Sequence, residues 1–198
     1  MLVLVFLLIV IDLIVISTKN LSYVPMAICL QVVVIAKADY ISGMDIALIG
    51  FVCAIKAVII PFLLYHLVKK TNAPGLDVNV VHPSIVAVIT TVALIAAYVF
   101  ARSVGAGPFG AAAFFTMLAG ILLITCRETI LDQLAGFIVL QNGIFAFVSS
   151  FLAKTSLVME LFPAVDVLIT VAMMFFAIRL IYKHSGSIEI KTFSTLRG

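Results

Sequence analysis

The sequence predicts an all-α integral membrane protein of about seven transmembrane helices. Three observations predict it. The chain is 65% hydrophobic and 11% charged, against about 25% charged residues in a soluble domain, so it lacks the polar surface to cover a soluble globule. Its apolar residues fall in continuous runs close to the roughly 20 residues that cross a bilayer core as a helix. They do not alternate in the short segments of a β-barrel.

Taken in order, the spans are expected at 2–18, 21–37, 45–68, 84–103, 109–125, 130–153 and 157–182. The first is apolar from its start, with no basic leader and no small-residue cleavage site, and reads as a retained helix rather than a signal peptide. The second is short and carries Pro25. The third, FVCAIKAVIIPFLLYHLVKK in its main part, carries Lys56 and the helix-breaking Pro61. The fourth and fifth are almost free of polar side chains, and their expected work is packing. Small residues such as Gly105, Gly107 and Gly110 let helices approach. The organisation is an N-terminal three-helix membrane part (1–70), a cytoplasmic loop (71–83), a four-helix membrane part (84–183) and a cytoplasmic tail (184–198).

Seven spans put the termini on opposite faces. The face of the C-terminus collects Lys19, Lys69, Lys70, Arg127, Arg179, Lys183, Lys191 and Arg197, and the other collects Lys37, Arg102 and Lys154. Lys and Arg concentrate on the cytoplasmic side. The N-terminus is therefore expected outside and the C-terminus in the cytoplasm of a multi-pass protein in the cell (inner or plasma) membrane.

Polar residues inside the spans are the candidate site. A cation at bilayer depth costs at least roughly 2.5–3.5 kcal/mol, so Lys56 needs a partner, a water cavity or a task. Pro61 has no N–H and leaves the Ala57 carbonyl without its helical donor. At 1.5 Å per residue, Asp12, Gln31, Lys56, Gln141, Asn142 and Asp166 fall at similar depths on different helices. Burial disfavours the charged form of a lysine or carboxyl, which lets such a group exchange protons. These residues form a candidate proton or ion pathway, with Asp132 as a candidate entry point near the start of the sixth span. The bland alternative is structural: an Asp12–Lys56 ion pair, with Gln31, Gln141 and Asn142 as interhelical glue, and with Glu128 and Asp132 as helix-start carboxylates.

Other classes find little support. No G-x-S-x-G, H-E-x-x-H or P-loop is present, so no catalytic residue is assigned. Cys29, Cys53 and Cys126 lie in separate apolar spans and His66, His82 and His184 are isolated, so no metal site is expected. No cofactor is expected in this chain. Lys69–Lys70 is the one basic pair, too little for nucleic acid.

Residues 127–198 resemble the K subunit of bacterial complex I, a three-helix proton-channel subunit. The matching features are Arg127 before a helix, LAGFIVLQNGIFAF with Gly136 and Asn142, Asp166 thirteen residues before Arg179, and a terminal TLRG. Lys56 with Pro61, LQNGIF and the terminal LRG resemble the longer E subunit of hydrogenase-4 and related membrane-bound hydrogenases. The resemblance implies a non-catalytic membrane subunit of a complex I-like hydrogenase or formate hydrogenlyase. It would contribute a mid-membrane polar pathway that couples redox chemistry to proton or sodium movement. The implied partners are antiporter-like and other membrane subunits, and through them a cytoplasmic redox arm. Asp166 takes the place of the family's second glutamate. The first is absent: its place falls at Ile138 in the complex I pattern and at Gln141 in the hydrogenase pattern, and glutamine cannot titrate. The alternatives are a subunit of a multisubunit cation/proton antiporter and a purely structural spacer.

Overall fold

The computed structural model describes residues 1–18, 20–70, 82–127, 129–151 and, further on, 165, 168–169, 171–173 and 175–180. Among these, the extended elements are all helical. Five helices are long and apolar enough to cross a membrane, and Leu2–Ser17 is a shorter apolar helix. The loop at 71–81, Glu128, Asp166 and the tail at 181–198 lie outside the described residues, as does most of the expected seventh span.

Helix α1 is Leu2–Ser17. A 3-10 turn, Leu21–Tyr23, leads into α2, Val24–Ile41. Pro25 falls in the first turn of α2, where a missing N–H has no intrahelical partner to lose. The helix therefore lies later than the expected 21–37 and carries Asp39 within it. Gly43 ends it in the left-handed region (φ 90). The N–H groups of Gly43 and Met44 fold back to the carbonyls of Tyr40 and Asp39, both at 3.1 Å, a glycine cap of the Schellman kind.

Helix α3, Ile46–Cys53, is capped by Asp45, whose carboxylate accepts the Ala47 N–H at 2.9 Å. It passes into a π-helical turn, Ala54–Ile59, and then into α4, Ile60–Lys70. The backbone change lies just before Pro61, and the chain continues as a helix beyond it. Helices α5, Pro83–Ser103, and α6, Gly107–Cys126, follow. Gly105 (φ 74) closes the end of α5, with the Ala106 N–H returning to the Ala101 carbonyl at 2.9 Å. Helix α7 is Ile130–Ser149, stopping short of the expected 153. Thr129 caps it, accepting the Asp132 N–H at 3.2 Å.

Helix α6 is the centre of the bundle, with α1, α5 and α7 packed on it, while α2 lies among α1, α7 and the α3–α4 rod. The α6–α7 contact is backbone on backbone. A Cβ added at Gly120 would strike the backbone of Leu140 and Gly136, and one at Gly143 would come within 2.5 Å of the Met117 nitrogen. Small residues permit that approach in a membrane, where packing rather than water release holds helices together. At one end of the bundle, buried Arg127 donates to the carbonyls of Ile16 (2.9 Å) and Thr18 (2.7 Å). A cation there satisfies carbonyls that the end of α1 leaves open. At the opposite end, Met1, Ser42, Gly107 and Ser150 border one hollow.

Candidate functional site: a buried polar series

Four helices each contribute one fully buried polar side chain to a continuous hydrogen-bond series. Gln31 of α2 donates from Nε2 to Asp12 Oδ1 of α1 at 2.6 Å. Thr116 of α6 donates to Asp12 Oδ2, also at 2.6 Å. Asn142 of α7 donates from Nδ2 to Gln31 Oε1 at 3.0 Å. Relative exposures are 0% for Asp12, Gln31 and Thr116 and 2% for Asn142. Each helix turns its polar residue inward because the lipid side offers no partner.

The Thr116 hydroxyl has two possible acceptors. It lies 2.6 Å from Asp12 Oδ2 and 3.0 Å from the Ala112 carbonyl one turn back. A hydroxyl has one proton to donate and can also accept. Towards a carboxylate, Thr116 donates. Towards a protonated Asp12, it accepts and turns its own proton to Ala112. Asp12 is thus satisfied in either protonation state without moving a helix.

The series ends at a cavity of about 20 Å³ bordered by Val32, Asp39, Cys53, Lys56, Asn142 and Phe145 among others. Lys56 is 2% exposed, and among the described residues its Nζ has no hydrogen-bond partner. It lies 4.5 Å from the centre of the Phe145 ring, a cation–π contact that offsets part of its desolvation. The π spacing delivers it there: the Ile60 N–H reaches back five residues, to Ile55. Asp39 is 3% exposed and acts electrostatically on Lys56. The Ser149 hydroxyl stands beside Asp39 and donates to the Ala146 carbonyl at 3.0 Å.

The residues singled out from sequence divide accordingly. Asp12, Gln31, Asn142 and Lys56 converge. The alternative of a direct Asp12–Lys56 pair is corrected: the Lys56 Nζ bonds to neither Asp12 oxygen, and those oxygens accept from Gln31 and Thr116 instead. Gln141 is half-buried and, among the described residues, bonds to none of the group. Its neighbour Asn142, about 100° round the helix, makes the contact instead. Ile138, 1% exposed, is packed in the apolar core. Asp132 is held at the far end of α7, accepting from Thr129 Oγ1 at 2.6 Å. Ten residues, about 15 Å of helix, separate it from Asn142, and buried Leu134, Ala135, Ile138 and Val139 fill the interval. Asp166 lies outside the described residues.

Two members went unread in the sequence. Asp39 lies beyond the span expected to end at Lys37; Gln31, Ile35 and Asp39 follow one another at helical spacing, and Gly43 marks the stop. Thr116 carried no signal, since a lone threonine in a small-residue helix ordinarily bonds its own backbone. No family model, curated protein or solved structure matches the chain.

Proposed function

We propose that this chain is a non-catalytic membrane subunit of a complex I-like energy-converting hydrogenase, supplying part of a buried polar pathway for protons. The supporting observation is the unbroken series Thr116–Asp12–Gln31–Asn142, which ends at the cavity that holds the Lys56 amine. Ionisable groups at membrane depth face bundle interiors and mark proton or ion routes. Here they sit on α1, α2 and the π turn, so the N-terminal half carries titratable groups that α7 lacks at Ile138 and Gln141. The resemblance of 127–198 to a complex I subunit supplies the kind of assembly. Seven spans, an outer N-terminus and a cytoplasmic C-terminus complete the reading, with antiporter-like subunits as lateral neighbours.

A structural reading has its own support: both oxygens of Asp12 are bonded, as in a clamp between helices. Membrane vesicles containing the assembled complex separate the two. Lys56→Met or Asp166→Asn should leave assembly and hydrogen chemistry intact and lower proton translocation several-fold. Unchanged translocation with both substitutions present would defeat the pathway and leave the clamp.

A further inference from the structure

Lys56 and Asp39 carry opposite charges and border one small pocket, and no hydrogen bond joins them directly. The Lys56 amine is 2% exposed, has no hydrogen-bond partner among the described residues, and borders the pocket that Asp39 and Asn142 also border. An ammonium so placed has three donors, and the Phe145 ring answers one side of it. Two buried charged groups too far apart to bond directly are the kind of pair that a water can bridge. The space fits one: about 20 Å³ is present, and a water needs roughly 10–15 Å³ with two to four polar partners. The lining is mostly apolar, and the polar residues that border it are Lys56, Asp39 and Asn142. A sodium ion would meet the ammonium, and a chloride ion would meet the carboxylate.

We infer that this cavity binds a single water that joins the Lys56 amine to the Asp39 carboxyl, and that Asp39 is the counter-charge of Lys56. The pairing stands on the cavity and the two side chains, while its part in ion transfer rests on the proposed function. Proton exchange through it balances. The ammonium gives a proton to the water, the water gives one to the carboxylate, and a neutral amine and a neutral carboxyl remain. Asp39 lies eight residues, about 12 Å, along α2 from Gln31, near the Gly43 turn. The pair therefore extends the polar series from the bundle centre towards the end where α2 meets α3.

The full chain in lipid bilayers, with ¹⁵N-labelled lysine side chains, tests this by water-edited solid-state NMR. The Lys56 signal is identified by its loss in Lys56→Met. It should receive magnetisation from water as readily as the exposed Lys69, although it is buried, and should lose that transfer in Val32→Phe, which fills the cavity. Thermal melts of the purified chain supply a readout independent of Val32→Phe. Asp39→Asn and Lys56→Met should each lower Tm, and the double variant should lose clearly less than their sum. A dry Lys56 amine, additive melts, or coupling of Lys56 to Asp166→Asn in place of Asp39→Asn would overturn the inference. A dry amine with Lys56-dependent translocation intact would sink this pairing and spare the proposed function. A wet, coupled pair with no effect on translocation would do the reverse.

Discussion

Gln31 donates to Asp12 at 2.6 Å and accepts from Asn142 at 3.0 Å, so one amide ties α2 to both α1 and α7. An amide that gives to a carboxyl and takes from another amide has a direction built into it.

That direction ranks the couplings. Hydrogen bonds between membrane helices average about 0.6 kcal/mol and reach about 1.7, and those to a charged acceptor are roughly twice as strong. In double-mutant cycles with Gln31→Leu, run at alkaline pH where Asp12 is ionised, Asp12→Leu should therefore couple more strongly than Asn142→Leu. Thermal or denaturant unfolding in a fixed detergent reads both couplings. Equal values, or a larger one for Asn142, would show that Asp12 does not act as a charged acceptor.

Thr116 separates a clamp from a switch. Thr116→Ser keeps the hydroxyl that faces Asp12 and Ala112, and should retain proton translocation in the assembled complex. Thr116→Val keeps the shape and removes the hydroxyl, leaving Asp12 Oδ2 unpaired in a dry site, at a cost of about 1–3 kcal/mol. Translocation should fall in Val and survive in Ser, measured as acidification per hydrogen formed. A Val variant that is less stable but transfers protons normally would make Thr116 a structural residue.

The sequence revealed this site unevenly, for physical reasons. Lys56 was legible because a cation in an apolar run is too costly to be incidental. Asp12, Gln31 and Asn142 were legible for the same reason in milder form. The choice between Gln141 and Asn142 was not, because adjacent residues point about 100° apart and the orientation of α7 is set by what packs on it. Gly120, Gly136 and Gly143 fix that orientation by letting α6 lie against one face of α7. Asp39 is not legible because Lys37 looks like a span end, while the helix runs on to Ile41 and stops at Gly43. Thr116 lies 104 residues from Asp12, and no local pattern links them.

The glycine face yields a graded prediction. Gly120→Ala and Gly143→Ala drive a methyl into the backbone of the facing helix, where overpacking costs typically about 1–3 kcal/mol. Gly50→Ala in α3 meets nothing within 4 Å, and alanine is preferred to glycine inside a helix by roughly 0.5–1 kcal/mol. Melting temperatures of the purified chain should fall for the first two and hold or rise for the third. A harmless Gly120→Ala would mean that α6 and α7 do not approach backbone to backbone.

Two causes could hold the π turn at Ala54–Ile59, and their magnitudes decide between them. Pro61 lacks the N–H that ordinary α spacing would use, and an alanine there would regain a hydrogen bond worth about 0.5–1.5 kcal/mol. Regaining α spacing would also rotate Lys56 by about one residue, or 100°, out of its cavity. A lysine turned towards lipid costs at least roughly 2.5–3.5 kcal/mol. The second term is larger, so the π turn should persist in Pro61→Ala and relax to α spacing only in Pro61→Ala/Lys56→Met. Backbone chemical shifts across residues 54–60 in bilayers distinguish the two spacings. Loss of the π turn in Pro61→Ala alone would show that the proline, and not the buried amine, keeps the backbone open there.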